Sequence, residues 1–412
     1  MAAGLLYEPS QAAPPAAQTG TRAALDIRHV IIDDVSPHPS AANGIHRVAF
    51  NLAREQIAVG DAARIVFLRR AEMPGEVEKV DLPTLVLPLR GRNLMGHVVS
   101  VAPEIIEALT AGAGPGTIIH IHTARQPCLL SLARELSRRG LAFCITVHGR
   151  YSHVIDGNGL IANWKSALYL RLIERHAIEK ARFVQAVSSA EADVIRRLAP
   201  RGNICVVPNA AYSSALGGVQ QAPHRSASFE EFPTFGYCGR YEIIHKGLDL
   251  LVEGFAIYRR NGGLGRLVFI GTGPARDVIA AMAKTFGIAD AVEVNGPCFG
   301  DDKQRKMRAW DFFVQPSRYD GVPLAALEAA LAGLPLIVST ETGLAGHLTA
   351  AQAGIVFENL TPAMIASGLA EASALSRDAW TDMAQRARTL AIEIGDWTPI
   401  AARLRALYTG AG

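Results

Sequence analysis

Two acids and two bases stand out by type and spacing. Asp320 and Glu328 lie eight residues apart in "PSRYDGVPLAALEAALAGLPLIVS", and Arg240 and Lys246 lie six apart in "YCGRYEIIHKGLDLL". The stretch from Val322 to Leu334 is patterned as a helix that is apolar nearly all the way round, which predicts burial. Glu328 sits in its middle with no Lys or Arg within four residues, so the helix offers no i,i+4 partner. A carboxylate there is costly to bury unless something donates hydrogen bonds to it, and a ligand could. Arg240 ends a predicted strand, and Lys246 precedes a predicted helix beginning near Gly247. A guanidinium fork and a point charge beside a helix N-terminus suit a diphosphate. On spacing alone, two solvated surface charges explain the pair equally well.

These residues need scaffolds, and the chain supplies two series of them. "IRHVIIDDV" reads as a strand and "NGIHRVAFNLAREQIAVG" as a helix. "ARIVFL", "TLVLPL", "TIIHIH", "LAFCITVHG", "RFVQAVS" and "NICVVPNA" follow as strands, most with helical patterns between them. The runs are rich in Val, Ile and Phe without polar alternation, the pattern of parallel strands covered on both faces. Residues 210–232 break the rhythm with Gly, Pro, Ser and Gln and read as a linker. The series then restarts with "TFGYCGR", "RLVFIGTG", "VEVNG", "DFFVQPS", "PLIVST" and "GIVF". The expected organisation is a disordered leader over 1–25, a first domain over 26–209 and a second over 233–395. A last helix over 396–412 is expected to pack back on the first domain. Two β/α domains suggest a cleft between the carboxyl ends of two parallel sheets, where such sheets bind ligands.

Composition narrows the classes. With 412 residues, 49% hydrophobic and 19% charged, the chain describes large cores rather than disorder. A net charge of +3 gives no argument for nucleic acid. The five cysteines are scattered with no C-x-x-C, which argues for reduced thiols in a cytosolic protein. No run of 18 apolar residues offers a membrane span.

Other motifs carry less. "IGTGPAR" is G-x-G-x-x-R, a weak dinucleotide fingerprint, and Gly44 in "AANGIHR" is a phosphate seat or an ordinary turn glycine. His120 and His122 stand on one strand face; without a third ligand spaced nearby they read as a strand-end pair at the cleft rather than a metal site. Asn163 to Arg182 carries Lys165, Arg171, Arg175, Lys180 and Arg182 beside Leu168 and Leu172, as a membrane-surface helix would. Glu174 and Glu179 among them favour an ordinary surface helix. Ser188 and Asn209 have no triad partner.

"GRYEIIHKG" resembles the G-R-x-x-x-x-K-G segment of the retaining, two-domain (GT-B) glycosyltransferases of family 4. "PSRYDGVPLAALEAALAGLPLIVS" is similar to that family's P-S-x-x-E-G…L-E-A-x-A-x-G-x-P-V-V signature. "NG", "IIHIH", "TVHG", "VPNA" and "IGTGP" line up in order, over about residues 27 to 410. The resemblance implies a GT-B fold of two Rossmann-like domains and transfer from a UDP- or GDP-sugar to a carbohydrate or lipid-linked acceptor in bacterial polysaccharide or glycolipid synthesis. It implies that Glu328 takes the ribose hydroxyls and Asp320 the sugar hydroxyls, helped by backbone N–H groups across Val322, Pro323 and Leu324. Arg240 and Lys246 would hold the diphosphate, Gly44 would let the first loop approach it, and His148 would contact the sugar near the reacting carbon. Attack would occur on the face from which the nucleotide leaves, with the phosphate helping to take the acceptor's proton, so no carboxylate nucleophile is assigned. The chain has no Asp-x-Asp, consistent with Arg and Lys rather than a metal meeting the leaving charge. No cofactor is expected, and no nucleic acid; the location expected is cytoplasmic, with peripheral membrane contact through the first domain. Asp320 replaces the usual Glu, "NG" replaces a double glycine, and "TETGLAGHL" lacks the usual second glycine and acid. A nucleotide-sugar epimerase or hydrolase, and a silent nucleotide-sugar-binding subunit, stay open as alternatives.

Overall fold

The computed structural model describes residues 23–34, 44–70, 81–94, 97–123, 125–149, 151, 164–211 and 232–411. Nearly all of the leader, Asn43, most of the linker and the side chain of Lys165 lie outside the described residues.

The first domain contains β1 (Asp26–Ile32), β2 (Ala62–Arg69), β3 (Thr84–Pro88), β4 (Gly91–Leu94), β5 (His97–Val101), β6 (Thr117–His122), β7 (Ala142–Thr146), β8 (Val184–Ala186) and β9 (Ile204–Val206). Seven of these form a parallel sheet in the order β3-β2-β1-β6-β7-β8-β9. β4 and β5 make a separate antiparallel hairpin that the sequence reading did not anticipate. The second domain contains β10 (Thr234–Arg240), β11 (Arg266–Thr272), β12 (Val292–Asn295), β13 (Phe312–Gln315), β14 (Leu336–Ser339) and β15 (Gly354–Phe357). They form a six-stranded parallel sheet in the order β12-β11-β10-β13-β14-β15. The fold is therefore α/β, with two doubly wound domains.

Both strand orders reverse direction once, between β1 and β6 and between β10 and β13. At such switch points neighbouring crossovers run to opposite sides and open a crevice beyond the strand ends. The chemistry-bearing residues follow these strands: His122 ends β6, Arg240 ends β10, and the Ser317–Asp320 turn follows β13.

The apolar, β-branched strands are buried on both faces, as continuous hydrophobic runs require. Cores made of Val30, Val66, Ile119 and Ile145 on one side and Ile31, Phe67 and Val48 on the other sandwich the first sheet. The last helix, Trp397–Thr409, lies on the first domain, with Trp397, Leu404 and Tyr408 in the core beside helix Gly44–Ala58.

The Glu328 helix is shorter than expected: it spans Leu324–Leu331 rather than Val322–Leu334. Pro323 is its N-cap at φ −70° and ψ 117°, and a residue before proline avoids helical angles, which excludes Val322. At the other end Gly333 takes φ 88° and its N–H reaches Ala330 O at 2.9 Å, while Leu334 N reaches Ala329 O at 3.0 Å. That paired arrangement closes the last carbonyls and stops the helix. The segment from Trp164 to Lys180 contains a turn of π-helix, Leu170–Glu174, between two short α-helices. Glu174 points inward there, fully buried and bonded by Tyr151, so it is not the solvated acid the sequence suggested.

Candidate active site

The second domain builds its half of the site from two loops clamped together. Glu242 caps helix Ile243–Lys246, accepting from Ile244 N at 3.1 Å and His245 N at 3.2 Å. Gly247 then takes φ 63°, and a Cβ there would stand 2.0 Å from Pro316 O, so only glycine lets this turn lie against the "PSRYD" loop. Arg318 ties the same two loops, donating to Ile243 O at 2.9 Å and to both Asp249 carboxylate oxygens at 2.9 and 2.7 Å. The clamp places Lys246 Nζ 2.6 Å from Asp320 Oδ2, which also accepts from Ser317 Oγ at 3.2 Å. Asp320 and Lys246 are thus brought together as an ion pair. Arg240 stands exposed at the end of β10.

His245 stacks on Tyr319, with ring centroids 4.3 Å apart and planes 18° apart. Burial, and then the Lys246 charge, push its pKa down to about 4, so this imidazole is neutral. Both rings line a cavity of about 60 Å³ together with Asp320, Gly321 and Val322, and with His148, Gly149, Val187 and Asn209 from the first domain. Asn209 Oδ1 is buried there with no hydrogen-bond partner among the described residues. Ser188, by contrast, caps helix Ser189–Leu198 by accepting from Glu191 N at 3.2 Å.

His148 follows β7 in a left-handed conformation, φ 54°, with Gly149 at φ 78°. A non-glycine residue pays for that conformation, and such strain concentrates at functional sites. Its Nε2 lies 3.2 Å from His122 Nδ1. His120 and His122 are not at the cleft edge; both are buried, and His29, directly across from His120 in the β1–β6 register, joins them. The three offer nitrogens within 4.8 Å of one another, a set of three imidazoles that strand spacing alone did not reveal. All six of their ring nitrogens already have hydrogen-bond partners: His29 with His122 and Gln56, His122 with His148, and His120 with Tyr408 and Thr146. His120 and His122 stack at 4.2 Å, a geometry that keeps their lone pairs from converging on one ion.

Glu328 is not waiting for a partner. It is 5% exposed, with Arg47 of helix Gly44–Ala58 on Oε1 and Lys303 of helix Gly300–Met307 on Oε2. Burial alone would raise its pKa; the Arg47 and Lys303 charges and hydrogen bonds overcome that and hold it below the usual carboxylate value. Local spacing could not reveal these partners, because one lies across the cleft and the other is one cation among several in "GDDKQRKM". Arg47 also joins the two domains. Gly44, three residues before it, is exposed, and a Cβ there would meet nothing within 4 Å. Pro323 corrects the expected run of backbone donors, since it has no N–H; the first-turn donors are Leu324 and Ala325. Val322 lines the cavity, and the Leu324 side chain packs against the core of the first domain.

The sequence matches known families over both domains. Residues 43–210 match the glycosyl transferase 4-like domain, and residues 232–374 match glycosyl transferases group 1. The 2-deoxystreptamine N-acetyl-D-glucosaminyltransferase of Streptomyces fradiae is 26% identical over 79% of this chain and 78% of its own length. The GDP-mannose:cellobiosyl-diphosphopolyprenol alpha-mannosyltransferase of Komagataeibacter xylinus is 25% identical over 89% of this chain and 90% of its own. Among solved structures, sucrose-phosphate synthase from Thermosynechococcus elongatus superposes with a TM-score of 0.72 at 20% identity, over 93% of this chain and 98% of that one. HepE of Anabaena, solved in complex with UDP and glucose, superposes at 0.70 and 15% identity, over 93% and 99%. Two matched domains in order, relatives aligned over most of both chains, and the two-domain fold agree: the chain belongs to the group 1 glycosyltransferases, family 4, with the GT-B fold.

Proposed function

We propose that the protein is a retaining, metal-independent transferase that moves a sugar from UDP or GDP to a carbohydrate or lipid-linked acceptor in bacterial polysaccharide or glycolipid synthesis. The observation that carries this reading is the cavity between the strand ends of the two sheets, where His148 and Asn209 of one domain meet Asp320 and Val322 of the other. In this reading the diphosphate lies along Arg240 and Lys246, beside the first turn of helix Leu324–Leu331. Breaking the anomeric bond builds negative charge on the nucleotide, and two fixed cations stabilise it more in the transition state than in the ground state. Asp320, oriented by Lys246 and Ser317, accepts sugar hydroxyls; its shorter side chain sets it back by about one methylene from where glutamate would reach. Glu328 takes the ribose hydroxyls, with Lys303 staying as counter-ion while Arg47 yields Oε1. Gly44 leaves open space at the head of the facing helix for the phosphates. The acceptor's proton passes to the leaving phosphate on the same face.

The first domain also carries an exposed apolar stripe: Trp164, Leu168 and Leu172 are 67%, 48% and 65% exposed, with exposed Arg171 beside them. This face suits peripheral contact with an anionic membrane carrying the acceptor or its lipid. No helix among the described residues is long and apolar enough to cross one.

The test is transfer from UDP- and GDP-sugars to polyprenyl-diphosphate and free-glycan acceptors, with the product's anomeric configuration read by NMR. Retention of the donor's configuration supports the reading, and an inverted product overturns it.

A further inference from the structure

We propose that the buried imidazoles of the first domain form a directed chain that fixes the tautomer of His148, making Gln56, His29 and His122 positioning residues for transfer. The proposal rests on the reading that places the donor sugar beside His148.

The directions follow from the end of the chain. Gln56 Oε1 can only accept, so His29 donates to it from Nε2 at 2.7 Å. His29 Nδ1 is then the lone-pair nitrogen and accepts from His122 Nε2 at 2.8 Å. His122 Nδ1 in turn accepts from His148 Nε2 at 3.2 Å. A second branch agrees. Gln56 Nε2 reaches Tyr408 OH at 3.5 Å, and that hydroxyl donates to His120 Nδ1 at 2.6 Å. His120 Nε2 donates to Thr146 Oγ1 at 2.6 Å, which donates to Gln185 Oε1 at 2.8 Å. Gln185 Nε2 ends on Val207 O at 2.9 Å. One assignment satisfies every link: His29, His120 and His122 are neutral and protonated at Nε2, and His148 donates from Nε2.

A proton added to His29, His122 or His120 would set two donors face to face. The groups around His122 are His29 on β1, His120 on β6, His148 after β7 and, beyond His120, Cys144 on β7 and Tyr408 of the last helix; none supplies a carboxylate to stabilise an imidazolium. Burial holds the His29 pKa down at about 4 and puts those of His120 and His122 well below the usual histidine value.

For the reaction, a His148 protonated at Nε2 has its lone pair on Nδ1 and acts as an acceptor toward a sugar hydroxyl. A neutral ring there also avoids a second positive charge beside the carbon on which positive charge develops.

The experiment is histidine-selective ¹⁵N NMR of the full chain without substrate, with His148 assigned by its loss in His148→Asn. The wild type at about pH 8 should show a pyrrole-type Nε2 and a pyridine-type Nδ1 for His148. Gln56→Met keeps length but removes the terminal acceptor. It should mix the His148 tautomers and lower donor kcat/KM by roughly three- to tenfold, the worth of one neutral hydrogen bond. A His148 protonated at Nδ1 in the wild type at that pH overturns the proposal, as does a signature unmoved in Gln56→Met. Correct tautomers on a protein that turns over no nucleotide-sugar would uphold the chain and fault the donor-site reading instead.

Discussion

Glu328→Gln separates a ligand from a strut, and the structure makes both roles count. Each carboxylate oxygen faces a cation: Arg47, whose side chain is 40% exposed, and Lys303, whose side chain is 9% exposed. The amide keeps one acceptor oxygen but turns an NH2 toward the other cation. Removing one partner of a buried pair costs about 3–5 kcal/mol, and the retained acceptor returns part of it, leaving a loss of roughly 2 kcal/mol. For a domain of this size that is a fall in Tm of about 4–8 °C. An acid buried without counter-ions would have given the opposite sign, a protein as stable as wild type or more so. If the ribose hydroxyls also donate to this carboxylate, bonds worth about 1.5–3 kcal/mol each weaken, and the nucleotide Kd rises roughly ten- to a hundredfold. Calorimetric Tm without ligand and titration calorimetry with UDP and GDP read the two effects on one variant. Arg47→Met is the control: its half-exposed pair is worth under about 1 kcal/mol, and removing a competitor for Oε1 should leave affinity unchanged or tighter. A lower Tm with unchanged Kd in the folded Glu328→Gln fraction refutes the ribose role; an unchanged Tm refutes the buried pair.

Arg240→Ala should lower kcat/KM by two orders of magnitude or more at constant Tm, since in the proposed reading it meets charge that develops on the leaving diphosphate; near-normal turnover removes it from the site. Gly247→Ala should destabilise the protein by more than about 1 kcal/mol and depress turnover, because its Cβ would strike Pro316 O and part Lys246 from Asp320; a functional, fully stable variant contradicts the clamp. The His29 contribution to stability should be lost as pH drops from 6.5 toward 4. The folded pKa of His29 lies below its unfolded value, so the unfolded chain binds more protons in that window, and each such imidazole contributes up to about 1.4 kcal/mol per pH unit. His29→Gln should flatten that slope in acid-dependent melts, and an unchanged slope counts against it. Turnover should survive EDTA, and loss restored by Mn²⁺ or Mg²⁺ would overturn the metal-independent reading.

The strands were legible because parallel, doubly covered strands are written as unbroken apolar runs, and "TIIHIH" and "TFGYCGR" fall where those runs placed them. The hairpin from Gly91 to Val101 was not, since its short, half-polar edges carry no such run. Asp320 and Lys246 were found separately, but their 2.6 Å contact depends on two loops folding together around Gly247. What spacing could not show was anything assembled across strands or domains. Arg47 and Lys303 lie 281 and 25 residues from Glu328. His29 lies 93 residues from His122, and only the pairing of β1 with β6 makes them neighbours. Pro323 was a different case: its missing N–H was plain in the sequence, and the expected donor run overlooked it.

In the proposed reading this cleft cleaves a nucleotide-sugar using the two cations at the start of the second domain. Its most direct test is nucleoside diphosphate release from a panel of UDP- and GDP-sugars, comparing wild type with Lys246→Ala at matched thermal stability. Release from one nucleotide class is expected of the wild type, falling by two orders of magnitude or more in the variant. Equal release from both proteins, or none from the wild type with any donor in the presence of glycan and lipid-linked acceptors, would contradict it.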